Sequence, residues 1–365
     1  MSNAHGIIEF QTPEWSIAIP SYKRHNTLCE KTMSFLIKQL IPMHRVFVFV
    51  ADENESRTYA DCLESATNLK WVVAQSFTQE LHSEPHPKIV IGEVGISRQR
   101  RHISSYFPYG HHIIQMDDDI EDMNILCSTG SISNASKRIC RLWQGEWVDI
   151  IEDAGVRMLQ TGAHIWSISL SHVPWHLRAV GISTCFGICV GHCFGVLNRK
   201  KDDLETEFGS CGDDVERSIR YMLEDDIILR YPMLHAITKF RSGPGGINSE
   251  VMNRRKAEEE TVRNMALKWP SIVSLDTTIR FDKGLPMKIN NIFTKNKPLQ
   301  TRMGTPGMRW CPPCQRKSNI PLDYQVIIDQ FPPTIAHRQS DGAEVESSVK
   351  CGRVRESARH AHPYQ

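Results

Sequence analysis

The chain has 365 residues, with 43 Lys and Arg against 42 Asp and Glu, so its formal charge of +1 excludes a globally electrostatic nucleic-acid binder while leaving a local basic patch open. That length carries one large domain with an appendage, and no apolar run is long enough to span a bilayer. Eleven cysteines, scattered through a sequence without an N-terminal basic-then-apolar segment, point to a soluble intracellular protein, nuclear or cytoplasmic, with mostly free thiols.

Residues 1–14 are polar and read as a flexible N-terminus. Trp15 to Ile19 reads as a first strand ended by Pro20, with Ser21, Tyr22, Lys23 and Arg24 in a polar loop and a helix over Thr27 to Leu40. Val46 to Ala51 is almost wholly apolar, as a buried parallel strand is, and stops at Asp52, Glu53, Asn54 and Glu55. A helix follows over Tyr59 to Leu69, then short strands over Trp71 to Ala74 and Ile89 to Ile91. In GEVGISRQRRHISSYF, Gly95 and Ser97 can open a helix that lines up Arg98, Arg101, His102 and Ser105 on one face and sets Arg100 on another. A helix N-terminus beside an arginine suits a diphosphate or a base edge, because free N–H donors and a bidentate guanidinium converge there; a solvated basic helix is the competing reading.

The chain is organised around Ile113 to Met123, IIQMDDDIEDM, an apolar run that ends in five carboxylates within six residues. Strand carboxyl ends in an open α/β sheet form a ligand-binding rim, so Asp117 and Asp119 belong at the mouth of a cleft. Carboxylates at i and i+2 can share one hard divalent cation, and that cation can neutralise a diphosphate. Taken alone, the triplet reads as a solvated turn.

Beyond the acids, Cys127 to Gln144 reads as a loop or lid, Trp147 to Thr161 as a helix ended near Gly162, and Ile165 to Leu170 and Thr184 to Asn198 as strands. Cys185, Cys189 and Cys193 read as buried inert thiols, since glycines and β-branched neighbours oppose the helix their spacing would need for metal binding. In GSCGDDVERSIRYM, glycines precede Asp213 and Asp214 at the opening of a helix with Glu216, Arg217 and Arg220. The macrodipole alone favours acids there, while a functional reading makes Asp214 a general base. Further on, His235 is a possible third metal ligand, and Lys239 and Arg241 can neutralise a leaving diphosphate beside Gly243 to Gly246. Glu250 to Leu267 is a charged helix. From Asn290 onward Pro, Gly and basic residues dominate: 293–333 reads as an irregular extension carrying the C-x-x-C of WCPPC, and 334–365 as a disordered basic tail.

The ordered set IPSYKR, VADENE, GISRQRR, MDDD, GDDVERSIR and HAITKF with GPGG resembles the GT-A fold glycosyltransferases over roughly residues 15–292. Within that fold it resembles the TET/JBP-associated glycosyltransferases, the group that includes the base J glucosyltransferase. The resemblance implies a Rossmann-like, mostly parallel mixed sheet flanked by helices. It also implies a UDP-sugar donor (UDP-glucose), Mn²⁺ or Mg²⁺, and an acceptor hydroxymethylpyrimidine in DNA. Carried across, Pro20, Tyr22 and Arg24 border the nucleoside, Asp52 or Glu53 the uracil or ribose, Arg100 the donor or the base, and Asp118 the donor. Asp117 and Asp119 hold the metal, Asp214 or Asp213 is the base of an inverting transfer, and Arg220 is the arginine of the E-D-x-D-x-x-x-R pattern. A base flipped from DNA needs cations and an aromatic platform, for which Trp166, Trp175, Arg178, Arg254 and Arg255 are candidates. A protein, lipid or glycan acceptor, or a non-catalytic nucleic-acid-binding module, are the alternatives.

Overall fold

Strand β1 (Trp15–Pro20) is buried along its whole length in the interior of a seven-stranded sheet ordered β3-β2-β1-β4-β8-β7-β9. The computed structural model describes residues 11–75, 86–126, 139–170, 182–184, 186–209, 211–238, 254–279 and 285–290, with backbone alone for 65–75. The chain divides into Met1–Pro333 and Thr334–Gln365, and every described residue belongs to the first unit.

Strands β2 (Val46–Val50), β3 (Lys88–Ile91) and β4 (His112–Met116) run parallel to β1, with Ile17 opposite both Val46 and Ile114. Strand β8 (Cys193–Leu197) is antiparallel to β4 and to β7 (Ile165–Ile168), which pairs in parallel with β9 (Leu229–Tyr231). The result is the Rossmann-like, mostly parallel mixed sheet expected of a GT-A-type chain. Its strands are apolar on both faces because helices cover both. One layer packs Phe35, Leu36, Trp147, Ile151 and Met158 under the sheet, and the other packs Phe49, Ile103, Phe107, Phe194 and Met222 over it. Each large side chain so buried stabilises by roughly 1.5–3 kcal/mol.

After β1 the chain forms α1 (His25–Leu28), a π-helical turn (Cys29–Met33) and α2 (Ser34–Lys38) where one helix is predicted. Helix α3 (Glu53–Gln75) runs through the predicted strand Trp71 to Ala74. The correction has a local cause: Glu53 to Gln75 contains neither Gly nor Pro, so nothing stops the helix before Trp71. Helix α4 (Ile96–Tyr106) starts after Gly95, and α5 (Glu146–Thr161) ends at the left-handed Gly162 as predicted. The predicted strand Thr184 to Asn198 is regular only over β8, because Gly187 and Gly191 interrupt its start. Of the predicted loop Cys127 to Gln144, Ile139–Arg141 forms β6 and 127–138 lies outside the described residues.

A second sheet, ordered β10-β5-β6, had no counterpart in the sequence reading. It pairs β5 (Asp122–Leu126), directly after the acidic turn, with β10 (Leu234–Ile237). Helices α6 (Asp213–Asp225) and α7 (Arg254–Lys268) and the small pair β11 (Val273–Leu275) and β12 (Met287–Ile289) complete the described fold, with Val215, Ile219, Val262 and Met265 packed between them. The predicted extension over 293–333 and the tail lie outside the described residues.

Candidate active site

Parallel strands deliver their carboxyl ends to one rim, and β8, being antiparallel, delivers its amino end there, with Cys193 opposite Met116. The acidic turn Asp117–Asp119 therefore meets the loop after β1 and the Gly191–His192 turn before β8.

Asp117 follows β4 directly; its N–H donates to the His192 carbonyl at 2.9 Å, and its side chain is over a third exposed. Asp118 points inward. It accepts from Ser21 Oγ at 2.5 Å and from Arg24 Nη1 at 3.2 Å, and Tyr59 Oη braces the same loop against Ser21 Oγ at 2.7 Å and the Arg24 N–H at 3.0 Å. Asp119 accepts from Thr238 Oγ1 and lies 3.7 Å from Arg24 Nη1. Thr32, on the π-helical turn, clasps the turn from below, donating to the Asp117 carbonyl and accepting from the Ile120 N–H, each at 2.9 Å. A π turn spent on holding a charged loop is a common mark of a functional position.

Arg100 is the hub. It is buried on α4, pairs through Nη1 with Asp213, donates from Nη2 to the Gly191 carbonyl at 2.5 Å and reaches Asp117 at 3.5 Å. Phe194 underlies it, with Arg217 stacked on the same ring at 4.2 Å. Helix α4 is tied to the loop before α6 by Ser97 Oγ, which donates to the Gly209 carbonyl at 2.6 Å.

The acids of α6 are launched by Gly212, whose φ of +88° is open to glycine and whose added Cβ would lie 2.9 Å from Leu285. Asp213 and Asp214 then part company. Burial works against the charge of Asp213, yet Arg100 and Arg217 (2.7 Å) hold it below the usual carboxylate range. Burial and the adjacent Asp213 push Asp214 up to about 6. Its carboxylate accepts only from the Val215 N–H at 2.9 Å among the described residues. A Cβ added at Gly191 would sit 3.5 Å from Arg100 and 3.8 Å from the Asp214 Cβ, so the glycine keeps open the space between them. That arrangement gives one fixed acid and one available base.

Arg220, the arginine of the predicted helical pattern, does not face this group. It is buried against Glu216 (2.7 Å), Glu207 (3.1 Å) and the Asp203 carbonyl (2.8 Å), bracing the loop before α6. Arg217, four residues from Asp213, takes the place beside the acids, and the i,i+4 rule applied to DDVER would have named it. His235 sits on β10 with Nε2 3.3 Å from Asn124 and Nδ1 3.4 Å from the Ala236 carbonyl. His192 was missed altogether; burial, with His235 and Arg100 nearby, pushes it down to about 4, so it is neutral, and its Nε2 is buried without a partner among the described residues.

Pro20 is buried at the end of β1, and Tyr22 is half-buried with Lys23 Nζ 4.8 Å over its ring. Asp52 caps α3, accepting from the Asn54 and Glu55 N–H groups at 2.9 and 3.0 Å, and Glu53 is exposed, 3.7 Å from Arg57. Trp166 cannot serve as a base-stacking platform: it is fully buried in β7, donating to His112 Nε2 at 2.7 Å. Arg254 and Arg255 pair along α7 with Glu258 (3.3 Å) and Glu259 (3.4 Å). Trp175, Arg178, Lys239, Arg241 and Gly243 to Gly246 lie outside the described residues.

For a divalent cation the donor chemistry fits, with a limit. Desolvation on its inner side, opposed by Arg100, and the neighbouring Asp119, Asp118 and Asp213 raise Asp117 above the usual carboxylate range; over a third of its side chain stays open to solvent, so the crowding of negative charge is what a cation there would relieve. No group of three His, Cys, Asp or Glu arranged for a metal occurs among the described residues. Such a set matches Mg²⁺ or Mn²⁺ held by one or two carboxylates, with water and phosphate oxygens completing the shell.

No protein-family model and no curated protein matches the chain. Among solved structures it is similar to the glycosyltransferase TarS of S. aureus, residues 1–349, at 11% identity and a TM-score of 0.36, over 70% of this chain and 72% of that one. So distant a likeness leaves the site to be read from its own geometry. No described helix is long and apolar enough to cross a membrane.

Proposed function

We propose that the chain is a glycosyltransferase that moves a hexose, glucose by resemblance, from a UDP-sugar to the hydroxymethyl group of a modified pyrimidine in DNA, with inversion. The observation that carries the reading is the meeting, at one rim, of a carboxylate turn, a fixed arginine and a second acid kept free of side-chain partners.

Asp117 and Asp119 would hold Mg²⁺ or Mn²⁺, which when bound supplies charge neutralisation at the diphosphate. Arg100, pinned by Asp213 and the Gly191 carbonyl, presents a guanidinium that costs no reorganisation as charge builds on the leaving group. Asp118, Ser21, Arg24 and Tyr59 orient the turn through the inward-pointing Asp118 carboxylate. Asp214 takes the proton from the acceptor hydroxyl. A base near pH 6 is ionised at neutral pH yet basic enough to share that proton in the transition state. Support for a DNA acceptor comes from α4, which exposes Arg98 and Arg101 beside buried Arg100, where they can meet backbone phosphates. Lys239 and Arg241 are assigned to the diphosphate by resemblance alone.

The test is to incubate the full chain with labelled UDP-glucose and Mn²⁺ on hydroxymethylated and unmodified DNA, single- and double-stranded. Label is expected only on hydroxymethylated DNA. Equal or absent labelling of both removes the DNA acceptor, and UDP release that ignores DNA moves the acceptor to a protein, lipid or glycan.

A further inference from the structure

Two thiols outside the rim face one another. Cys62 on α3 donates to Cys29 Sγ on the π-helical turn at 3.1 Å, and its other partner is Asn26 Oδ1 at 3.7 Å. Both are free and half-buried, whereas the other free thiols described, Cys189, Cys193 and Cys211, are buried; Cys140 is disulfide-bonded. Nothing in the proposed chemistry uses the pair.

We propose that Cys29 and Cys62 form a thiol–disulfide exchange site that takes small-molecule disulfides of the glutathione class and closes into a Cys29–Cys62 bridge.

Burial pushes the Cys29 thiol up and keeps it protonated, so the attacking sulfur is that of Cys62. Its thiolate attacks one sulfur of the small disulfide. A mixed disulfide forms and the first thiol departs, taking up the proton Cys62 gave up. Cys29 sulfur then attacks the Cys62 sulfur and its proton passes to the second departing thiol. Two protein thiols are oxidised and one disulfide is reduced to two thiols.

The pair stands one helical turn from each half of the clasp on the acidic turn. Thr32, three residues after Cys29, holds the Asp117 carbonyl and the Ile120 N–H. Tyr59, three residues before Cys62, holds Ser21 and the Arg24 N–H, which in turn hold Asp118. A disulfide brings sulfurs to about 2 Å, so closure draws the two side chains together by about 1 Å and loads the π-helical turn and α3, which carry the two clasps. Resting on the proposed function, this predicts weaker binding of Mn²⁺ and UDP by the bridged chain.

The experiment equilibrates the full chain with oxidised glutathione, alkylates remaining thiols and maps peptides by mass spectrometry. Melting is measured alongside, with and without Mn²⁺ and UDP. A Cys29–Cys62 linked peptide that dithiothreitol reverses is expected, and Cys29→Ser should trap glutathione on Cys62. The melting shift given by Mn²⁺ and UDP should shrink at least twofold in the oxidised chain, and Cys62→Ser should abolish that sensitivity. Persistent glutathione on wild-type Cys62, or reaction of the pair only after unfolding, overturns the exchange site. A bridge that leaves the shift unchanged overturns its link to the rim. No shift in the reduced chain strikes the proposed function instead, and the linked peptide still decides the exchange site.

Discussion

Arg100 and Asp213 lie 113 residues apart in the chain and pair at the rim of the sheet, one guanidinium nitrogen on the acid and the other on the Gly191 carbonyl. This pair separates the two acids at the head of α6 into a fixed one and an available one. Arg100→Ala removes the proposed diphosphate contact and an observed buried counter-ion. It is expected to lower kcat/KM by about 10²-fold or more and stability by about 3–5 kcal/mol, as breaking a buried pair does. Arg100→Lys is expected to recover stability before activity, since an ammonium cannot span Asp213 and Gly191 together. Kinetics and denaturant titrations of the two variants check this.

Asp213 and Asp214 are expected to fail in different ways. Asp214→Asn should lower kcat by about 10²–10⁴-fold and leave the melting temperature near or above that of the parent, because the acid is held in a setting that resists its charge. Asp213→Asn should lower the melting temperature, since Arg100 and Arg217 lose their shared partner. Equal losses of activity and stability in both variants would show that the two acids share one role.

The pH profile follows from the same acid. With Asp214 raised to about 6, activity should fall tenfold per pH unit below that value and level off above it. The sign for stability is opposite to the usual carboxylate: a folded pKa above the unfolded one means the protonated form is favoured on folding. This contribution is fully present below pH about 4 and is lost as pH rises through about 6. An Asp214→Asn variant should lose the activity limb set by this acid and only its share of the stability limb, because Asp117 and Asp118 are raised in the same direction. Initial rates and melts between pH 4 and 8 read both.

The three acids of the turn should separate by their partners. Asp117→Asn and Asp119→Asn should abolish the Mn²⁺-dependent melting shift given by UDP, which for a ligand at a hundred times its Kd is about 2.7 kcal/mol. Asp118→Asn should keep a reduced shift and lose stability, because its oxygens are occupied by Ser21 and Arg24 inside the fold. Ser21→Ala should resemble Asp118→Asn. An unchanged shift in Asp117→Asn and Asp119→Asn would remove the cation from the proposed site.

Much of this protein was legible in its sequence, because the forces concerned are local. Apolar runs that halt at Pro20 for β1 and at charge for β2 and β4 made these strands recognisable and put their loops at one end, since parallel strands share a polarity. Glycines before DDVER marked the start of α6. What only the tertiary structure decided is which groups meet. The antiparallel insertion of β8 carries Gly191 and His192 to Asp117, the β5–β10 pairing brings Thr238 to Asp119, and α4 sends Arg100 inward while Arg98 and Arg101 face water. Periodicity shows that a helix has faces; the field of the partners that pack against it determines which acid on α6 is bound in an ion pair and which is left to take a proton.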